Sequence, residues 1–253
     1  MLVRLEQRPE ASKSMIYVSP LIAVVLTVLT AMVMFALLGV DPVKAIETFF
    51  IEPVSSLDGL AELLVKATPL VLIGVGLSLG FQANVWNIGA EGQYIMGAIF
   101  GAGVGLAFYP TESVLIFPLM VLAGALGGWI WAVIPAVLKV KFGTNEILVS
   151  LMLVYVAEQF LASMALGLLK NPEGFGFPGS RNLQQYPSAH NAELITGSGM
   201  HWGVVAAFIA VIFGYILLLP LSYLPLSYLN VIEAFVFLSF AASTFSIVIR
   251  VFT

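Results

Sequence analysis

The 253 residues contain no cysteine, so disulfides and thiol chemistry are excluded and the redox compartment leaves no trace. Charge is nearly as scarce. Only 9% of the residues are Asp, Glu, Lys or Arg, where an average soluble domain carries about 25%. The two histidines, His190 and His201, flank a polar stretch and do not share a helix face, which argues against a His/Cys metal site. The net charge of −4 comes without a basic stripe, so nucleic-acid binding has no footing. The chain also lacks a G-x-x-x-x-G-K-[S/T] loop, so ATP hydrolysis is not its own activity. What remains is apolar: 60% of the residues are hydrophobic and the mean hydropathy is +1.03. An all-α, polytopic transmembrane helical bundle follows.

The order of polar and apolar runs predicts its topology. Residues 1–14 are polar, and Arg4, Arg8 and Lys13 favour a cytoplasmic N-terminus. The apolar run Met15 to Val40 exceeds the roughly 7–15 residues of a signal-peptide core and reads as a first span. Asp41 to Leu63 is mainly acidic and reads as an outside segment on the interface, with Glu62 and Lys66 at ion-pair spacing. Further spans are expected over Leu63 to Gly80, Tyr94 to Tyr109, Ser113 to Leu138, Glu146 to Leu168 and Trp202 to Leu219. Phe235 to Val251 offers a possible seventh. Gly76 and Gly80, then Gly97, Gly101 and Gly105, then Gly124 and Gly128 recur at four-residue spacing, read as close helix packing. Lys139 and Lys141 mark a cytoplasmic loop, and residues 170–201 form a long outside loop. The pentapeptide LPLSY occurs twice, at 219–223 and 224–228, with Pro220 and Pro225 expected to break any helix there.

One stretch breaks the apolar rule. Phe81 to Gln93, FQANVWNIGAEGQ, carries Gln82, Asn84, Asn87, Glu91 and Gln93, with Gly89 and Gly92 freeing its backbone. It reads either as a polar loop between spans or as a broken or re-entrant helix beside a translocation path. Thr144 or Asn145 can cap the next helix, with Glu146 near its positive end. Glu158 lies about 18 Å further along that helix. It is either a site residue within the membrane or a group in a wet outer vestibule.

NVWNIGAEGQYIMGA at Asn84 to Ala98 and LKVKFGTNEILVSLMLVYVA at Leu138 to Ala157 resemble the permease subunit of bacterial ABC importers. The nearest branch is that for nucleosides and simple sugars, related to the ribose and branched-chain amino-acid permeases. The resemblance covers roughly Met15 to Phe213. It implies a single transmembrane permease domain over 1–253 in the bacterial cytoplasmic (inner) membrane, without a cofactor of its own and in contact with membrane lipid. It also implies a second permease subunit, cytoplasmic ATPase subunits that carry ATP and Mg, and an extracytoplasmic substrate-binding protein. Asn84, Asn87, Gly89, Glu91, Gly92 and Gln93 match the family's polar segment beside the substrate path, and Glu158 joins them as a candidate. Thr144, Asn145 and Glu146 match its second motif, as structural capping. After Phe213 the pattern departs: the family's ATPase-docking segment G-x-N-x-x-A-A-x-x-x-G is absent, and about a hundred expected residues are missing. Residues 215–253 are therefore expected to be an atypical tail from truncation or frame change, leaving a non-functional permease as one outcome. An ion-coupled secondary transporter is the alternative, with Glu91 or Glu158 relaying protons beside Lys66, although no inverted repeat is visible. An intramembrane hydrolase ranks last, because both histidines fall near the outside loop.

Overall fold

A computed structural model of the chain describes residues 14–82, 85–175 and 179–221. The chain folds as two compact units, 1–60 and 61–253. In the first, α1 (Met15–Leu37) follows the expected apolar run and ends at Gly39, whose φ of +76° suits glycine. The hydroxyls of Thr27 and Thr30 donate back to the carbonyls of Ala23 and Leu26, both at 2.8 Å, so neither presents an unsatisfied group sideways. Asp41 caps α2 (Pro42–Ile46) by accepting from the Val43 amide at 2.9 Å. A π-helical turn (Glu47–Ile51) and α3 (Glu52–Ser55) complete the acidic segment, and Phe49 stacks on Phe35 with centroids 5.9 Å apart.

The boundary between units falls one turn into α4 (Leu57–Gln82), which starts six residues before the expected span. Glu62 and Lys66 pair on its exposed surface at 3.5 Å. In the second unit the chain continues through α5 (Ala90–Ala107), α6 (Ile116–Phe142), α7 (Glu146–Leu166) and α8 (Trp202–Leu221). α4 ends at Gln82, α5 begins at Ala90, and residues 85–89 between them are not helical, which suits both the loop and the broken-helix reading of the polar stretch. α8 includes Pro220 and ends at Leu221. The second LPLSY copy and the possible seventh span lie outside the described residues.

α5 sits between α6 and α7. Its glycines Gly97, Gly101 and Gly105 are buried, as are Gly124, Gly127 and Gly128 of α6. The fit is side chain into groove: a Cβ on Gly127 would lie 2.6 Å from the Phe100 ring, and one on Gly105 would lie 2.9 Å from Met120. Ile95, Met96 and Ile99 pack with Ala157 of α7 to form the core between α5 and α7. Leu72 of α4 packs with Ala207 of α8. Beyond α7, a 3₁₀ turn (Leu183–Gln185) folds back so that Leu183, Tyr186 and Ala189 cover Ile116 and Met120.

Among the described residues four helices are long and apolar enough to cross a membrane: α1, α4, α6 and α7. α8 supplies a shorter apolar helix. α5 is 18 residues long, about 27 Å of helix, and is the most enclosed. The architecture is an all-α multi-pass membrane bundle.

Candidate functional site

Lys139 and Lys141 close α6 at one end of the second unit, and the polar connection after α7, in which Lys170 and Arg181 balance Glu173 and Glu193, occupies the other. At the lysine end, Asn145 caps α7 by accepting from the amides of Ile147 (3.0 Å) and Leu148 (3.4 Å). Thr144, the other capping candidate, takes no part in the cap, and its hydroxyl is buried without a hydrogen-bond partner. Glu146 sits in the first turn, favourable for a carboxylate. It pairs with Lys139 and lies near the backbone N–H of Trp86. One carboxylate thus joins the end of α6, the start of α7 and the break between α4 and α5.

The rest of the break is held to α7 in the same way. The Ile88 amide donates to the Ser150 hydroxyl at 3.2 Å. Gly89 and Gly92 lie against α7 so closely that a Cβ on Gly89 would stand 2.7 Å from the Ser150 carbonyl oxygen. A Cβ on Gly92 would stand 3.0 Å from the Val154 Cα. The Trp131 indole donates to the Leu153 carbonyl at 3.3 Å from the α6 side. Asn87 accepts from the Gly89 amide at 2.9 Å and donates to the Gln93 side chain at 3.3 Å. Both amide side chains are almost fully buried. Of the polar segment, then, Asn87, Gly89, Gly92 and Gln93 form the inside of a packed joint. Glu91 is exposed, as are the apolar Phe81, Trp86 and Ile88 of the same segment, and Asn84 lies outside the described residues.

Glu158 is exposed too, and helical spacing relates it to Glu91. A cavity of about 310 Å³ lies between α5 and α7, lined by Ile95, Ala98 and Ala102 on one helix and Leu161 and Ala165 on the other. Glu91 is four, seven and eleven residues from the first three, and Glu158 is three and seven from the last two. Residues at these spacings share one helix face. Gly92 beside Val154 fixes the register, which sets Glu158 about 7 Å further along the helix pair than Glu91, and neither carboxylate is itself part of the cavity lining. Lys66 pairs instead with Glu62, so it stands committed elsewhere than to either carboxylate.

At the other end the cavity is roofed by Ser180, Arg181 and Asn182. The Arg181 guanidinium lies 4.5 Å above the Tyr109 ring and donates two N–H groups to Glu173, at 3.0 and 3.5 Å. Tyr109 is braced edge-on by Tyr186, at 5.3 Å and 73°. The buried Tyr186 hydroxyl reaches the carbonyls of Phe108 and Thr111. His201 closes this end, accepting from the Gly203 amide through Nδ1 at 3.1 Å and so capping α8. Burial, seconded by the charge of His190, holds its imidazole below the ordinary histidine range. Sequence reasoning missed Ser150, Trp131, Tyr109 and Arg181. A signal existed for Arg181 alone, the one arginine between Arg8 and Arg250.

Transporters tolerate a non-helical segment between spans where it lines a cavity, and comparison with known proteins agrees with a transport subunit. The family described as the branched-chain amino acid transport system / permease component matches residues 59–246. The chain belongs to this family, which is one of multi-pass transport subunits and not of enzymes. The match runs past Tyr215, so the family's pattern continues into the stretch where a departure was expected. A glucose ABC transporter permease of Haloferax volcanii is 33% identical over 224 residues, 85% of this chain and 58% of that protein. A nucleoside ABC transporter permease of Lactococcus lactis is 30% identical over 137 residues, covering 54% of this chain and 38% of its own length. A guanosine ABC transporter permease of Bacillus subtilis is 28% identical over 138 residues, covering 54% and 39%. The chain spans a little over half the length of the first and under two fifths of the others. No solved structure matches.

Proposed function

We propose that the chain is the transmembrane permease subunit of an ABC-type importer and carries a nucleoside or simple sugar across the bacterial inner membrane along the cleft between α5 and α7. The observation that carries the reading is the shared face: the two exposed carboxylates of these helices, Glu91 and Glu158, lie on the stripes that line one cavity. An ionisable group at membrane depth is costly against lipid and is tolerated against water or protein. Carboxylates accept hydrogen bonds from solute hydroxyls, while the alanine, leucine and isoleucine walls offer no polar group to hold a neutral solute fast. Asn87, Gly89, Gly92 and Gln93 serve by keeping the helix break against α7, and Asn145 and Glu146 anchor that joint. The substrate class is supported by the likeness to the glucose, nucleoside and guanosine permeases.

In this reading residues 1–253 act as one permease domain. The lysine end and residues 1–14 face the cytoplasm, and residues 170–201 face outward, in keeping with the positive-inside rule. Energy comes from cytoplasmic ATPase subunits that bind ATP and Mg, solute from an external binding protein, and the full channel from a second permease subunit within the lipid. The test is uptake by the assembled complex in proteoliposomes. Glu91→Gln is expected to lower uptake about tenfold or more, equal to at least one charge-assisted hydrogen bond, with the complex intact. ATP-independent uptake abolished by a protonophore would replace the importer reading with an ion-coupled one.

A further inference from the structure

Arg181 takes no part in the joint, although it sits in the roof of the cavity. Four observations bear on it. The walls below it are apolar, and the polar lining (Ser180, Arg181, Asn182) is confined to the roof, so the cavity has one hydrogen-bonding end. The guanidinium lies over the Tyr109 ring, which is in turn braced by the buried Tyr186. The cation is therefore preorganised. Its charge is balanced by Glu173, whose side chain is 73% exposed and which engages two of the five N–H donors that a guanidinium owns. Lastly, Glu158 is exposed on α7, three and seven residues before the cavity-lining Leu161 and Ala165.

We propose that the Arg181 guanidinium, stacked on Tyr109 and neutralised by Glu173, is the first recognition subsite of the cleft for an uncharged polyhydroxylated solute. The inference rests on the importer reading above and adds a residue and a selection rule to it. The fork of N–H donors suits the neighbouring hydroxyl oxygens of a pentose or hexose. The apolar cavity receives the less polar face of the solute. An anion fares worse at both stations. It must displace Glu173 to reach the guanidinium, and it then meets Glu158. A neutral solute does neither. Selection is thus made by pairing the cation in advance, and like-charge repulsion below it rejects carboxylates and phosphates.

The absence of cysteine makes the test direct. Ser180→Cys, on the cavity rim, is labelled with a water-soluble thiol reagent in the assembled complex, and labelling is timed with glucose, uridine or glucuronate present. Glucose or uridine should slow labelling and glucuronate should not. Adding Arg181→Ala should weaken the protection about tenfold, the effect of losing a hydrogen bond to a charged group. Arg181→Lys keeps a cation but not the fork and should fall between, which also covers an alanine variant that fails to assemble. Glu173→Gln should let glucuronate protect, a change of selectivity that a merely structural arginine would not produce. Absence of protection by both neutral solutes, or protection unchanged in Arg181→Ala and Arg181→Lys, overturns the proposal. Uptake measured in the same membranes shows whether such a failure belongs to the subsite alone or to the importer reading beneath it.

Discussion

Asn87 holds the helix break from both sides, accepting from the Gly89 amide and donating to Gln93 within a buried joint. Replacing it by alanine leaves the Gln93 side-chain oxygen and the Gly89 amide without these partners. Asn87→Ala should cost about 1–3 kcal/mol, read from thermal or denaturant unfolding in detergent. His201 adds a pH dependence at the opposite end. Its folded pKa lies below its unfolded one, so the unfolded chain binds the proton more readily. Stability is full above the ordinary histidine pKa near 6.5 and is lost as pH falls through it toward the folded value. The cost grows by at most about 1.4 kcal/mol per pH unit in that window. His201→Asn keeps a side-chain cap for α8 without a titrating group. Melting between pH 7.5 and 5.5 should therefore flatten in this variant, apart from the contribution of other groups. These residue-level roles were only partly legible in the sequence. Asn145 and Glu146 announce a helix start through neighbours in the chain, whereas the Ile88–Ser150 bond joins residues 62 apart, and no local pattern encodes it.

Helices were the most legible level, because hydropathy is read over a window as long as the element itself. Each of the six expected spans has its helix, and the errors lie at the ends. α4 begins at Leu57 and not near Leu63, since Asp58 and Glu62 are polar yet helical: hydropathy marks lipid contact, not the first hydrogen-bonded turn. The glycine stripes were correctly read as close packing, but the stripe does not name the partner. Gly127, outside the four-residue repeat, is the glycine that receives Phe100. Gly127→Leu should therefore destabilise by about 1–3 kcal/mol through overpacking of α5 on α6. Gly103→Ala, with nothing within 4 Å of its new Cβ, should be neutral or gain up to about 1 kcal/mol. Unfolding of the pair in detergent checks both. Equal destabilisation would mean that the α5–α6 contact is looser than described.

At the scale of the molecule, the polar stretch that stands out in the sequence divides its labour. Asn87, Gly89, Gly92 and Gln93 make the joint, and Glu91 is exposed on the stripe of α5 that carries Ile95, Ala98 and Ala102. The expectation that these residues flank a substrate path stays part of the proposal, because polarity within an apolar chain does not distinguish a lining from a buried network. The distinction needs the facing helix. Once α7 is set beside α5 by Gly89 and Gly92, Asn87 and Gln93 are buried, while Glu91 and Glu158 stay exposed at helical spacing from the cavity-lining residues of their own helices. The central claim is that the face bearing these carboxylates is a water-filled route for solute. The most direct measurement places single cysteines at Glu158 and at Val156, which is exposed on the opposite side of α7, in the cysteine-free chain. A membrane-impermeant, charged thiol reagent should label Glu158→Cys in the assembled complex, more slowly with a transported solute present, and should leave Val156→Cys unmodified in lipid. Equal reactivity at the two positions, or an inert Glu158→Cys, would contradict the account.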